Sequence, residues 1–464
     1  MGADLDMLRA QARRALAAGL AAAEAGSATV AALAARPLAP VAAEGRRVVV
    51  AIGRSACDMA AAVLVELARA EPDRPRPETI AVTMADAARA VPGAWVMTAG
   101  WPDPDIAGMR AAAAVEGAVR PLGSGDRLVL LLSDGAEALV PAPVAQLPLA
   151  DFTGLDRALR KAGAGEAEAL LVRQQLSRLE GGGLLALALP AEVEVLAMAP
   201  GAAAEDLRLI GGGLAARPLG STVTARALVE LYGLWRGAHK VVRRTLSVPP
   251  APPPWLPRPR VRMVGANALS VAAMLQAAPP LQSARRAFGG GSTEVAHDLL
   301  AAVAGLAPGQ GIGFGLEAAG GWSPPSARFT GGLAEDPGGD GEEGAEALED
   351  DGALSLLTLT APLVAGAAAP RLAEHLLRFL CLARDRRLPG PWVLALSGSG
   401  AGGQALSGWI VGSDTLARAA SAGLDPDAAL ARGGAAAVLD AGGERVVPGR
   451  AGAEVGDLGV FLRG

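Results

Sequence analysis

"RRVVVAIGRSACDMAAAVLVEL", residues 46–67, reads as a buried strand, a turn at Gly53 and a helix, the opening of a βα unit. The theme recurs. "GAWVMTAGWPDPDIAGMRAAAAVEGAV" (93–119) is a strand, a proline-fixed loop and a helix, and "DRLVLLLSDGAEAL" (126–139) is a third strand and turn. Residues 154–189 read as largely helical, broken by glycines 181–183. "VEVLAMAPG" (193–201) is another strand, and "STVTARALVELYGLW" (221–235) a helix capped by Ser221 or Thr222. Strands alternating with helices predict a doubly wound, Rossmann-like parallel sheet.

Downstream, "SVPPAPPPWLPRPR" (247–260) is proline-rich and extended, a linker between an N-terminal domain 1–246 and a C-terminal domain 261–464. The second domain opens with "VRMVGANALSVAAML" (261–275). Residues 335–351 interrupt it with nine acids and no base, a solvated insertion that cannot bury enough apolar surface to fold alone. "PWVLALSGSGAGG" (391–403) is a strand and turn, "SDTLARAASAGL" (413–424) a helix and "VGDLGVFL" (455–462) a last strand. No repeat at solenoid periods is found.

Composition narrows the chemistry. The 464 residues are 51% hydrophobic and 19% charged, with a net charge of -5, which gives no electrostatic reason to expect nucleic acid. No apolar run reaches the ~20 residues of a membrane span, and the N-terminus reads as an amphipathic helix without signal-peptide regions. Cys57 and Cys381 stand alone, so no disulfide framework is expected, and the reading is cytoplasmic. Only Lys161 and Lys240, and His239, His297 and His375, can serve lysine or histidine chemistry.

Most familiar motifs fail. Neither lysine follows a glycine, which excludes a Walker A loop. "GSGAGG" (398–403) formally matches a dinucleotide pattern, but "QALSGWIVG" behind it continues as loop or strand rather than helix. No Gly-x-Ser-x-Gly elbow occurs, no metal-ligand spacing appears, and the histidines read as surface or satisfied groups. Arg54, on the first turn at a helix N-terminus, is either a solvated residue or a bidentate clamp for phosphate or carboxylate; its pKa bars it from acting as a base. "LLLSDGAEAL" (130–139) has the shape of a phosphate turn, yet Asp134 and Glu137 put negative charge where an anion would sit.

Taken in order, these segments resemble the glycerate 2-kinase family that carries a C-terminal MOFRL domain, and the resemblance runs over nearly the whole chain. Arg54 stands where the family has a Gly-Lys turn, and Trp101 stands at the histidine of a Gly-His-Pro loop. "LLLSDGAEAL" lies at a Ser-Gly-Gly-Gly-Ser loop, keeping Ser133 and Gly135. The helix carrying Arg173 and Ser177 keeps those residues and Gly182, with Gln175 at a histidine. In the second half Arg371 and Glu374 survive in "APRLAEHLLRFL", while Leu372 replaces an asparagine. "VPGRAGAEVGDLGVFL" keeps Gly452, Val455 and Asp457, "GFGLEAAGG" around Glu317 is the nearest relic of a nucleotide-side motif, and the acidic positions of 397–408 are lost.

The resemblance implies an α/β protein whose N-terminal Rossmann-like domain is joined to a MOFRL-type α/β domain. It implies transfer of the ATP γ-phosphoryl to D-glycerate with Mg²⁺, chemistry made mostly of positioning and charge neutralisation. Arg54, Arg371 and Glu374 would be catalytic, and Ser133, Gly135, Arg173, Ser177 and Asp457 would hold substrate or phosphate. Changes in nearly every motif beside intact core periodicity point to a kept scaffold and a lost kinase site. The leading expectation is a weak or inactive relative that binds a small hydroxy acid or other anion, or acts on a partner such as a second copy or an active paralogue. The alternatives are a working glycerate 2-kinase that uses Arg54, Arg371 and Glu374, and a different chemistry on the same cleft.

Overall fold

The computed structural model describes residues 2–199, 206–249, 256, 258–279, 281–284, 288–316, 368–398, 408–446 and 455–464. The acidic stretch 335–351, Glu317, Gly452, half of the 247–260 linker (250–255 and 257) and the glycine-rich 399–407 lie outside them.

The first six strands form one parallel sheet: β1 (Arg47–Ile52), β2 (Glu78–Thr83), β3 (Trp95–Thr98), β4 (Arg127–Leu132), β5 (Glu192–Ala199) and β6 (Arg260–Ala266), in the order β3-β2-β1-β4-β5-β6. The expected doubly wound sheet is present, and β1 throughout and β4 from Leu128 onward are buried because helices cover both faces. Val48, Val50 and Ile52 face one core with Leu128, Leu130 and Leu132; Val49 and Ala51 face the other with Val129 and Leu131.

The second sheet is mixed: β7 (Leu281–Ser283), β8 (Gly311–Leu316), β9 (Trp392–Ser397), β10 (Gly408–Gly412), β11 (Glu444–Val446) and β12 (Asp457–Arg463), ordered β11-β10-β9-β12-β8-β7. Only β7 and β8 run parallel; the other pairs are antiparallel.

Two segments cross the boundary expected at 247–260. Strand β6 pairs with β5 and completes the first sheet, so the chain leaves that sheet at Asn267 rather than before residue 261. The N-terminal helix Gly2–Ala22 belongs with the second sheet: Leu5, Leu8, Ala12 and Leu16 share a core with Met274, Val393, Ala395 and Val460. At Gly19 the contact is closest, since a Cβ there would lie 2.6 Å from Met274 Cγ. An amphipathic pattern states that a helix has a buried face, but not which sheet will cover it. No single helix among the described residues is long and apolar enough to cross a membrane.

Candidate functional site

The chain runs outward from β1 through β2 to β3, then returns to β4 beside β1 and runs the other way. The two windings part between β1 and β4, and in such sheets ligands bind beyond the carboxyl ends of the strands at that point. The turns there are Gly53–Ser55 and Ser133–Gly135, and they are tied together. Ser55 N–H donates to Ser133 Oγ at 3.0 Å, and Arg54 N–H donates to the Asp134 carbonyl at 2.9 Å. Gly53 has φ +129°, and a Cβ on it would come within 2.2 Å of Ser133 Oγ. The Ser133 hydroxyl thus caps the helix Ala56–Ala70, which Ser55 leaves without a side-chain cap of its own.

Arg54 is the unusual group. Its side chain is 8% exposed, with Nη1 donating to Asp86 Oδ2 at 3.0 Å and Trp101 stacked 5.1 Å from the guanidinium carbon. Nε and Nη2 are buried without a hydrogen-bond partner. These two nitrogens share one edge of the guanidinium, the edge that takes a carboxylate bidentately. Trp101 therefore contributes to the site through its ring, a role its place in "AGWPDPD" did not reveal.

The 133–137 turn keeps its shape but offers no room. Gly135 has φ +79°, and a Cβ there would lie 2.9 Å from Trp101 Cδ1, so the indole occupies the space above the turn. Glu137 follows in the helix Ala136–Leu139. Its charge adds to that of the Arg173–Glu180 pair, in which Arg173 Nε donates to Glu180 Oε2 at 2.9 Å. Glu180 is 1% exposed and its Oε1 has no partner. Burial first, then Glu137 and Asp156, outweigh Arg173 and push the Glu180 carboxyl up to about 7. Burial acts to lower Arg173, but Glu180, Asp156 and Glu137 win and hold it above the usual arginine range. Ser177 accepts from the N–H groups of Leu179 and Glu180, so its hydroxyl shapes the turn that presents Glu180. Gln175 donates to the Gly220 carbonyl at 2.9 Å.

Arg371 and Asp457 form an ion pair, and the Asp457 carbonyl accepts from Asn267 Nδ2 at 3.1 Å, just past the end of β6. Strands β1 and β6 are three places apart, so their carboxyl ends, from which Arg54 and Asn267 follow, are separated by about 14 Å. Glu374 accepts from Ser292 Oγ at 2.7 Å and from Arg378 Nε at 2.9 Å, and these bonds hold its carboxyl below the usual range against the effect of burial. His375 departs from the satisfied role expected of it: it is 4% exposed, its Nδ1 has no partner, and burial and Arg371 push its pKa down to about 4. His239 does serve structure, its Nδ1 accepting from Val241 N–H at 3.2 Å. No group of three His, Cys, Asp or Glu among the described residues is placed to hold a metal ion.

Comparison with known proteins agrees with this architecture. A family model described as "Domain of unknown function (DUF4147)" matches residues 11–247, just over half of the 464. A protein of Agrobacterium vitis named "Putative hydroxypyruvate reductase" is 30% identical over 192 residues, 41% of this chain and 42% of that protein. The glycerate kinase of Rattus norvegicus is 32% identical over 144 residues, 31% of this chain and 27% of its own length. The matched region thus spans less than half of these curated relatives. The crystal structure of a glycerate kinase from Thermotoga maritima superposes with a TM-score of 0.77 at 20% identity, covering 99% of this chain and 100% of that one. The chain belongs to the DUF4147 family of glycerate 2-kinase-like proteins.

Proposed function

We propose that this chain binds a small organic carboxylate of the glycerate class at the β1–β4 switch point and does not transfer phosphate from ATP. The observation that carries the reading is the free edge of Arg54, two buried donors with no partner on a fixed cation. Each unpaired buried donor costs about 1–3 kcal/mol, which a bidentate carboxylate would recover. The relatives named glycerate kinase supply the substrate class.

A nucleoside triphosphate does not fit the 133–137 turn. Trp101 fills the approach to Gly135, and Glu137 and the excess of acid around Arg173 repel a polyanion. Arg54 neutralises charge but, as a donor-only guanidinium, removes no proton from a substrate hydroxyl. Arg371 and Glu374, the remaining groups a working kinase would use, are held by Asp457 and by Ser292 and Arg378.

Calorimetric titration of wild type and Arg54→Met with D-glycerate and with ATP–Mg²⁺, beside a coupled assay for ADP release, tests this. Saturable heat with D-glycerate is expected, weakened about 100-fold (~2.7 kcal/mol) by the substitution, with none from ATP–Mg²⁺. ADP release above background overturns the non-kinase reading. Absence of any D-glycerate heat overturns the carboxylate reading.

A further inference from the structure

A cavity of about 670 Å³ opens at the amino ends of β1 and β2. It lies at the far end of β1 from the Gly53 turn, about 17 Å along the six-residue strand. Its volume falls within the range of small-molecule sites. One wall is apolar: Leu64, Val65 and Ala68 from the helix Ala56–Ala70, with Val91 and Pro92. The opposite wall is basic, and Arg46, Arg47, Arg74 and Arg76 face only Glu71 and Glu78 among the acids that line it.

The arginines are not spent on one another's counterions. Arg74 donates to the carbonyls of Gly45, Val41 and Ala42, neutral groups that orient it without cancelling its charge, and lies 3.9 Å from Glu71. Arg46 reaches Glu78 only at 3.9 Å and Asp126 at 3.7 Å. Arg76 has no ion pair among the described residues. Arg47, 5% exposed, is held by Glu71 and by the Ala39 carbonyl and adds its charge from beneath the cavity. The loop that carries the rim, "EPDRPRPE" (71–78), has prolines at 72, 75 and 77 that fix φ near −65°, so little entropy is lost when a ligand orders it.

We infer that this cavity binds a small amphipathic anion, its carboxylate or phosphate among Arg46, Arg74 and Arg76 and its apolar body on the Leu64–Val65–Ala68 wall. The pairing of walls selects the class: charge without a tail leaves the apolar wall wet, and a tail without charge leaves the arginines unanswered.

Calorimetric titration of the full chain with octanoate, octyl phosphate, inorganic phosphate and octan-1-ol tests the inference, with Arg76→Ala, Ala68→Trp and Arg54→Met as variants. Ala68 is exposed, so its replacement covers the floor without entering the core. Octanoate or octyl phosphate is expected to bind saturably, about tenfold more weakly in R76A, not at all in A68W, and unchanged in R54M. Which of the two binds more tightly identifies the head group. No saturable binding of either overturns the inference. So does binding that R76A and A68W leave unchanged, or inorganic phosphate or octan-1-ol binding as tightly as the two-ended ligands.

Discussion

Gly53→Ala is expected to cost about 2–6 kcal/mol of stability and to open the switch point. The residue adopts φ +129°, where an L side chain is strained by about 1–3 kcal/mol. The new Cβ would also lie 2.2 Å from Ser133 Oγ and 2.5 Å from the Ser133 carbonyl oxygen. Overpacking of this kind costs about 1–3 kcal/mol more, because the backbone of the second turn must move. The displaced groups accept from Ser55 N–H and from Ala136 N–H, so the two turns part and D-glycerate binding should fall with stability. Gly233→Ala is the control: φ is +72° there too, but nothing lies within 4 Å of its Cβ. Its cost should stay near 1 kcal/mol, the backbone term alone. Urea unfolding of both variants reads the difference. Equal losses would show that the two turns are not sterically locked.

A stability contribution that fades between about pH 4.5 and about pH 7 is expected from Glu180. Its carboxyl ionises near 4.5 in the unfolded chain but is pushed up to about 7 in the fold, by burial and by Glu137 and Asp156. Between those values the folded state holds a proton that the unfolded chain has released. Stability from this group is therefore fully present below the unfolded value and lost as pH rises through the folded one. With the side chain 1% exposed, the loss reaches about 3 kcal/mol above that window. Glu180→Gln keeps the shape and removes the titration; Arg173 retains the nearby charges of Asp156 and Glu137. Urea unfolding at about pH 5 and about pH 8 should show wild type losing more stability than the variant over the interval. Parallel profiles would mean that Glu180 stays ionised beside Arg173 throughout.

Much of the first sheet was legible because its strands are short apolar runs ended by glycine or serine turns. "RVVVAI", "RLVLLL" and "EVEVLAMA" each form a strand and are buried on both faces. Ser221 caps its helix by accepting from Thr224 N–H, as its place predicted. "ETIAVT" (78–83) and the glycine-rich "GIGFGL" (311–316) passed unread as strands. The first follows an Arg-Pro loop, and the second owes its extended form to pairing with β12, a partner about 145 residues away. The site divides in the same way. Arg54 stood out at its turn by position, and Ser133 and Gly135 by theirs.

The sequence alone determined that strands and helices alternate, that the turns after β1 and β4 carry glycine and serine, and that Asp134 and Glu137 put acid into the second of them. Local pattern suffices for these, since side-chain periodicity and turn chemistry act within a few residues. Only the tertiary structure decided that β6 joins the first sheet and the N-terminal helix covers the second. It alone laid Trp101 across both Arg54 and Gly135, left Nε and Nη2 of Arg54 without partners, and enclosed Glu180 among like charges. Each of these depends on which distant groups share a small volume, and burial and Coulomb interaction act through space, not along the chain.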